Sequence, residues 1–215
     1  MKKLVVFGGT GGLGIKLIPF LEKKYEVISI GSKSVDITDF NQVKKFFQEN
    51  NVDVVLNMAA KTYDIFLSKI NENDYPSISN MLDVNILGNI NILAACLPNM
   101  IVKKWGRIIA ISSILSEINV PKASLYSASK AFVDRLMCSA NKENIKFGIT
   151  CNSIQLGYWD GGMCEKLDSN FKNSVKNKIG LERFGNFKEL FNTIDFIIEN
   201  EYVCGSNLRI DGGLL

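Results

Sequence analysis

Short apolar runs alternate along the chain with segments whose apolar side chains recur every three or four residues. Near-continuous apolar runs are typical of strands buried on both faces of a parallel sheet, whereas the longer period is typical of amphipathic helices. The predicted strands are Leu4–Phe7, Val27–Ile30, Val52–Asn57, Arg107–Ser112, Phe147–Ile154 and Leu208–Ile210. The predicted helices are Gly14–Lys24, Asp39–Asn50, Met81–Lys104, Tyr126–Asn144 and Lys188–Asn200.

This alternation of strands and helices predicts an α/β fold with a doubly wound parallel sheet in three layers, α/β/α. The sequence has no internal repeat, no low-complexity linker and no break in composition, so we predict one domain over residues 1–215. Residues 157–186 do not fit the alternation, because they combine glycines and charges without a clear strand. Long irregular segments in compact domains are often functional, and we predict that this one is a lid over the substrate.

The composition excludes several classes of function. The chain has 215 residues, of which 47% are hydrophobic, enough to form its own core. Its 25 basic and 22 acidic residues give a net charge of +3, which is too balanced for a nucleic-acid-binding face. The absence of histidine excludes Ser-His-Asp catalysis, Cys-His catalysis and zinc sites with imidazole ligands. Acid–base chemistry therefore needs another group, and we expect no metal site.

The cysteine pattern and the hydropathy indicate a cytoplasmic protein that does not enter a membrane. The five cysteines form no C-x-x-C pair, and their odd number is a poor disulfide framework, so we expect reduced, buried thiols. The N-terminal apolar run ends at Phe7, which is too short for the core of a signal peptide. The most apolar window, Ile86–Ile101, is interrupted by asparagines and is predicted to be a buried helix rather than a membrane span.

A glycine-rich loop lies between the first predicted strand and the first predicted helix. Its residues are Gly8, Gly9, Thr10, Gly11, Gly12, Leu13 and Gly14. Glycines at such a junction let the backbone approach a pyrophosphate, and the helix N-terminus offers free N–H groups and a positive dipole end. A flexible loop without function has a similar composition, but the strand–turn–helix context favours a dinucleotide site.

The second predicted strand ends without the acidic residue that would bind the ribose 2′-hydroxyl of NAD. Ser32 and Lys33 stand there instead and are candidates for binding a 2′-phosphate. We therefore expect NADP(H) to be preferred, with NAD(H) as the alternative; without such a site, Lys33 is an ordinary solvated lysine. Asp36 and Ile37 follow and are candidates for contact with the cofactor, Asp36 at the adenine.

Tyr126 and Lys130 are four residues apart in a predicted helix, so their side chains share one face. A nearby ammonium lowers the pKa of a tyrosine, which would supply the acid–base group that a chain without histidine needs. Ser113 follows the predicted strand Arg107–Ser112, at the end where doubly wound sheets bind ligands. The spacing alone is common among surface residues, but its combination with the glycine loop and the serine favours a catalytic site.

In these motifs the sequence resembles the short-chain dehydrogenase/reductase family, in its compact single-domain form of the 3-oxoacyl-carrier-protein reductase type. The family's T-G-x-x-x-G-x-G motif matches Phe7–Gly14, with Phe7 in place of threonine. The other matches are the N-N-A-G motif at Asn57–Ala60, the helix asparagine at Asn85, the serine at Ser113, the Y-x-x-x-K motif at Tyr126 and Lys130, the P-G turn at Leu156–Gly157 and the C-terminal signature at Cys204–Gly213.

The resemblance implies a Rossmann fold, hydride transfer between NAD(P)(H) and a carbonyl or alcohol substrate, and a role for each matched residue. Tyr126 is the expected proton donor or acceptor, and Lys130 lowers its pKa and binds the nicotinamide ribose. Ser113 is expected to bind the substrate oxygen, and Asn85 to hold a relay water; alternatively, Asn85 satisfies backbone groups at a helix bend. The expected cofactor contacts are Gly8, Thr10, Gly11, Gly12, Leu13, Gly14, Ser32, Lys33, Asp36, Ile37, Asn57, Ala59, Ala60, Tyr126, Lys130 and Gly157.

Two departures from the family affect the cofactor prediction. Only Gly31–Val35 stands where the family usually has a full helix, and Gly11 replaces a basic residue of many NADP-using members. The stretch Val35–Lys61 resembles the family's sugar-nucleotide branch. Members of that branch have a long C-terminal substrate domain, for which 215 residues leave no room. Asn57 has an alternative role in joining neighbouring strands.

We therefore predict an NAD(P)-dependent oxidoreductase acting on a small carbonyl or alcohol. The substrate is anionic if the lid lysines face it; these are Lys166, Lys172, Lys176 and Lys178. The resemblance also implies a homodimer or homotetramer packed through Met81–Lys104 and Tyr126–Asn144. The alternatives are a catalytically silent, dinucleotide-sensing regulatory protein and a sugar-nucleotide-modifying member of the family.

Overall fold

A six-stranded, fully parallel sheet runs through the centre of the computed structural model, which describes residues 1–162 and 168–214. The spatial order of the strands is β2-β1-β3-β4-β5-β6. Their bounds are β1 Lys3–Phe7, β2 Glu26–Ile30, β3 Val54–Asn57, β4 Gly106–Ser113, β5 Ile149–Leu156 and β6 Asn207–Ile210.

Helices connect the strands and cover both faces of the sheet. Their bounds are α1 Gly12–Leu21, α2 Phe40–Glu49, α3 Tyr75–Leu82, α4 Gly88–Lys103, α5 Ser124–Asn144, α6 Ser169–Lys176 and α7 Phe187–Glu199. A π turn, Asp83–Leu87, joins α3 to α4 without interrupting the helical path. Short 3-10 turns occupy Leu67–Lys69, Glu72–Asp74, Ile114–Ser116 and Ile145–Phe147.

Strand β1 shows why the strands are apolar on both sides. Successive side chains point to opposite faces, so Leu4 and Val6 join a core with α1 and α7, while Val5 and Phe7 join a core with α2, α4 and α5. Both faces are covered by helices. The predicted α/β class, the doubly wound parallel sheet and the three layers are confirmed.

Strand β5 contains buried polar side chains and runs two residues past its predicted end at Ile154. Asn152, Ser153 and Gln155 interrupt the apolar pattern, yet all three side chains are buried. Each is paired: Asn152 donates to the carbonyl of Val203 at 2.9 Å, and Ser153 and Gln155 both donate to Asp134 of α5. Buried polar groups are tolerated when they are hydrogen-bonded, so the strand extends to Leu156.

The connection from β2 to α2 contains no helix, as the sequence predicted. Gly31 begins a tight turn in which its carbonyl accepts hydrogen bonds from the N–H groups of Ser34 and Val35. Asp39 then caps α2 by accepting from the backbone of Asn41 and Gln42. Strand β2 pairs with β1 and lies at one edge of the sheet.

The predicted lid, residues 157–186, is not irregular throughout. It contains helix α6, and Trp159 is buried in the core with α1 and α7. Residues 163–167, including Lys166, lie outside the described residues.

The helical run from Glu72 to Lys103 is long and apolar enough, by length and composition alone, to cross a membrane. In the fold it packs against α2 and α5, and the predicted helix start at Met81 is too late by about two turns. Its asparagines are bonded inside the core; Asn91, for example, donates to the carbonyls of Ile37 and Thr38. These contacts are those of a core helix.

Phe7 is fully buried and contacts the rings of Phe46 and Phe47 at centroid distances of 5.7 and 6.0 Å. We expect Phe7→Ala to lower the free energy of unfolding by about 3–5 kcal/mol, because it removes apolar contact and leaves a cavity. Urea denaturation measures the change. Phe196→Ala, at a side chain that is 49% exposed, is the control and is expected to cost less than about 1 kcal/mol; equal losses would contradict this description of the core.

Candidate active site

The strand order places a crevice beside β1. The chain goes from β1 to β2 on one side and returns to β3 on the other, so the connections diverge at the carboxyl ends of β1 and β3. Open α/β sheets bind their ligands at such a reversal. Phe7 and Asn57 are neighbours at these two strand ends, and the glycine loop starts directly after Phe7.

The glycine loop is shaped by close backbone contacts. Gly8 has φ +78°, and a Cβ on it would lie 2.7 Å from the backbone nitrogen of Ala59. A Cβ on Gly14 would lie 2.5 Å from the carbonyl oxygen of Gly8. No side chain caps the first turn of α1 at Gly11, so its N–H groups and positive dipole end form a site suited to a pyrophosphate.

The rest of the loop contacts two neighbouring segments. A Cβ on Gly31 would lie 2.2 Å from Thr10 Oγ1, so the Thr10 side chain covers the end of β2. A Cβ on Gly12 would lie 2.7 Å from the Cα of Gly162, and Leu13 also contacts Gly162. The loop therefore joins the end of β2 to the start of the predicted lid.

Two exposed residues, Ser32 and Lys33, follow Gly31, against which the Thr10 side chain lies. Asp36 accepts hydrogen bonds from the backbone and hydroxyl of Thr38, at 2.9 and 2.8 Å. The side chain of Ile37 packs in the core against Gly88, so a nucleotide would meet the backbone of Ile37 rather than its side chain.

Asn57 is buried at the end of β3 with both ends of its amide bonded. Its Oδ1 accepts from the N–H of Ala59 at 3.0 Å, and its Nδ2 donates to Asn89 Oδ1 at 2.8 Å. These bonds fix the turn that carries Ala59 and Ala60 beside Gly8. They favour the interpretation of Asn57 as a structural link, here from β3 to α4.

Helix α5 carries Tyr126 in its first turn and Lys130 one turn later. The Lys130 ammonium lies 5.7 Å from the centre of the Tyr126 ring and donates a 2.7 Å hydrogen bond to the carbonyl of Ile111 in β4. Ser113 ends β4, and its Oγ accepts from the N–H of Leu115 at 3.2 Å. A hydroxyl that accepts one bond still has its proton to donate. The predicted Tyr126 and Lys130 are thus adjacent, and Ser113 closes the strand that Lys130 contacts.

The Lys130 side chain is only 3% exposed. Burial disfavours the charged ammonium and lowers the pKa of Lys130 from 10.5 to about 8, against the opposing effect of the Asp134 carboxylate. With this pKa, Lys130 still carries its positive charge at neutral pH. A positive charge close to a phenol is the electrostatic arrangement that favours the phenolate form.

Asn85 lies in the π turn, and its side chain bridges two segments. Its Oδ1 accepts from the N–H of Lys61 and its Nδ2 donates to the carbonyl of Lys61, both at 2.9 Å. The same Nδ2 donates to Ser129 Oγ at 3.0 Å, and Ser129 donates to the carbonyl of Tyr126 at 2.7 Å. Asn85 therefore joins the segment after β3 to the helix of Tyr126, and the backbone groups that it satisfies are those of Lys61. Its part in a proton relay stays a prediction.

The predicted lid begins at Gly157, whose N–H donates to the carbonyl of Ile210 at 2.9 Å. Its next turn is held against α1, because Lys16 Nζ donates to the carbonyl of Asp160 at 2.9 Å. The ring of Tyr158, next to Gly157, stacks on the ring of Phe184 near the end of the segment, with centroids 6.3 Å apart. The start of this segment thus lies against the glycine loop.

Sequence patterns did not single out Asp134, Gln155 or Asn89. All three side chains are buried and hydrogen-bonded around the elements of the site. The i, i+4 spacing of Lys130 and Asp134 was the one available signal. Within residues 1–162 and 168–214, no cluster of three or more cysteine, aspartate or glutamate side chains is arranged to hold a metal ion.

Comparison with known proteins adds to this geometry. A family model described as short chain dehydrogenase matches residues 22–172. The chain is 29% identical over 243 aligned residues to the 3-oxoacyl-[acyl-carrier-protein] reductase FabG of Staphylococcus aureus, covering 99% of this chain and 98% of that protein. It is 31% identical over 188 residues to the FabG protein of Thermotoga maritima, covering 84% of this chain and 75% of that protein.

A solved structure, "ElxO with NADP Bound", has the same fold, with a TM-score of 0.87, 24% identity and coverage of 99% of this chain and 98% of that chain. The alignment with the Staphylococcus aureus protein is longer than the 215 residues of this chain, so that relative has internal segments that are absent here. The family resemblance predicted from the motifs is confirmed. The chain belongs to the short chain dehydrogenase family.

Proposed function

We propose that this protein is an NAD(P)(H)-dependent carbonyl reductase or alcohol dehydrogenase in which Tyr126 exchanges the proton. The observation that carries the proposal is the buried Lys130 ammonium, 5.7 Å from the Tyr126 ring and bonded to the strand that ends at Ser113. The glycine loop is on the same edge of the sheet. A dinucleotide site and an acid–base pair therefore share one crevice.

The residues of the crevice fit a dinucleotide. Close packing leaves no space for a Cβ at Gly8 or Gly14, and the uncapped N-terminus of α1 suits the pyrophosphate. Thr10, Ser32 and Lys33 would hold the adenosine ribose and its phosphate. When bound, the nicotinamide donates or accepts the hydride.

The protein's own residues manage the proton and the orientation of the substrate. In reduction, the Tyr126 hydroxyl donates its proton to the carbonyl oxygen as negative charge develops there. Ser113 donates a hydrogen bond to the same oxygen and orients it. Lys130 stabilises the phenolate that Tyr126 leaves behind. In oxidation the phenolate takes the proton back from the alcohol.

The proposed substrate class is supported by the relatives and by the segment after β5. Two of the relatives are 3-oxoacyl-[acyl-carrier-protein] reductases, so 3-oxoacyl thioesters are the first substrates to test. Lys172, Lys176 and Lys178 lie in or next to α6 and would favour an anionic substrate. We propose that residues 157–186 form the lid over it.

We expect Tyr126→Phe to lower kcat by about 10²-fold to 10⁴-fold, because it removes the proton that is transferred. Lys130→Met is expected to lower kcat as well, and to stay folded because it removes a buried charge rather than an apolar contact. Nicotinamide absorbance at saturating cofactor measures turnover, and thermal denaturation checks folding. Wild-type activity in both folded variants would contradict the assigned roles.

We expect NADPH to bind more tightly than NADH, because residues 31–34, directly after β2, include no carboxylate to accept a bond from a 2′-hydroxyl or repel a 2′-phosphate. Lys33→Ala should weaken NADPH binding about tenfold, which corresponds to about 1.4 kcal/mol, and leave NADH binding unchanged. Fluorescence titration of both dinucleotides measures the two affinities. Lys23→Ala, an exposed lysine that precedes β2, is the control. NADH binding tenfold tighter than NADPH in the wild type would overturn the preference.

We propose a homodimer or homotetramer that packs through α4 and α5. The side chains of Leu87, at the end of the π turn, and Ile90, in the first turn of α4, are 41% and 39% exposed although they are apolar. Ile90→Glu should therefore shift the protein toward monomer in sedimentation velocity, because burying a carboxylate in an interface is costly. Val102 lies about three turns further along α4, on a face rotated by about 120° around the helix axis. Val102→Glu should therefore leave the assembly unchanged. A wild type that sediments as a monomer would contradict the proposal.

A further inference from the structure

The helix that carries Tyr126 and Lys130 also carries a buried carboxylate to which the proposed mechanism gives no role. Asp134 lies one turn after Lys130 and is 5% exposed. Aspartates are rarely buried without partners. The position therefore calls for an explanation in terms of the groups around it.

Both oxygens of Asp134 accept hydrogen bonds from β5. Ser153 Oγ donates to Oδ1 at 2.7 Å, and Gln155 Nε2 donates to Oδ2 at 2.8 Å. Neither donor is charged. The negative charge of Asp134 is thus held in place by neutral groups and is not neutralised by them.

Lys130 is the cation that lies one helical turn from this negative charge. Its hydrogen bond goes to the neutral carbonyl of Ile111, and its burial lowers the pKa of its ammonium to about 8, whereas the charge of Asp134 opposes this shift. The other titratable groups on α5 itself are Tyr126, Arg135, Cys138, Lys142 and Glu143. Those on the elements packed against α5 and on the segments beside them are Arg107 in β4, Cys151 in β5, Cys96 and Lys103 in α4, Tyr75 in α3, Asp83 in the π turn, Lys146 after α5, Lys61 after β3, Glu117 after β4, and Arg209 and Asp211 at β6.

The side-chain amide of Gln155 also connects Asp134 to the segment that follows Ser113. Its Nε2 lies 3.0 Å from Ser116 Oγ and 2.9 Å from Glu117 Oε1, besides Asp134. Glu117 is about half exposed, its side chain 54%, so water screens its charge far more than that of Asp134. Two carboxylates thus share one amide, and only the buried one is on the helix of Lys130.

We propose that Asp134 is a positioning residue for the reaction, whose buried carboxylate keeps Lys130 protonated beside Tyr126. The inference rests on the proposed function. A neutral Lys130 would no longer stabilise the phenolate, so carbonyl reduction is lost as pH rises through the Lys130 pKa. Removing the carboxylate lowers that pKa further, and the loss of activity then begins at lower pH.

The test compares Asp134→Asn with Glu117→Gln, which removes the other carboxylate from the same Gln155 amide. NMR of the ¹³Cε–¹Hε signals of lysine, with Lys130→Met for assignment, gives the Lys130 pKa without turnover. We expect Asp134→Asn to lower this pKa and the alkaline limit of kcat together by about one unit, and Glu117→Gln to move neither. An unchanged Lys130 pKa in Asp134→Asn, or an equal shift in Glu117→Gln, would overturn the proposal.

Two further variants separate charge from packing. Ser153→Ala removes one bond to Asp134 but keeps its charge, so it should lower the melting temperature without moving the pH limit. Asp134→Ser is made in parallel, and failure of both Asp134 variants to fold would assign the residue a structural role and refute the proposal. A shifted Lys130 pKa with an unmoved pH limit would exclude the role in the reaction. A wild type that reduces no carbonyl would contradict the proposed function, while the NMR comparison still tests the charge coupling.

Discussion

The burial of one ammonium, that of Lys130, is the constraint on which the site depends. Removing a charge from water is costly unless it is hydrogen-bonded or balanced. Here the charge lies between α5 and β4, with the Ile111 carbonyl as its bonded acceptor and the Asp134 carboxylate one turn away. The packing of α5 on β4 and β5 therefore determines both where the ammonium sits and the pH at which it is charged.

A buried network of amides gives that packing its precision. Asn57 bonds to Asn89, Asn89 bonds to the carbonyl of Asn85, and Asn85 bonds to Ser129 on α5. This path connects the strand end beside the glycine loop to the turn that carries Tyr126. Each bond is directional, so the network fixes the relative position of two parts of the site that are far apart in sequence.

Much of the fold was predictable, because the apolar runs of a two-sided parallel sheet and the periodic helices are strong local patterns. The glycine loop, Tyr126 and Lys130 were predictable because each needs a particular residue type at a particular spacing. The end of β5 was not, because Gln155 is polar and only its partners in the fold, Asp134 of α5 among them, make it compatible with burial. The start of α3 was missed because a polar, proline-containing turn precedes the apolar part of the helical run.

By itself the sequence determined the architecture, the family and the candidates for contact with substrate and cofactor, since these follow from periodicity and from short motifs. Only the tertiary structure decided what surrounds them: that the side chain of Ile37 belongs to the core, that Asn57 and Asn85 act as links, and that Asp134 lies buried beside Lys130. The physical reason is that burial and electrostatic coupling are properties of neighbours in space. No local pattern states which strand a helical carboxylate will face, or how much water will reach it.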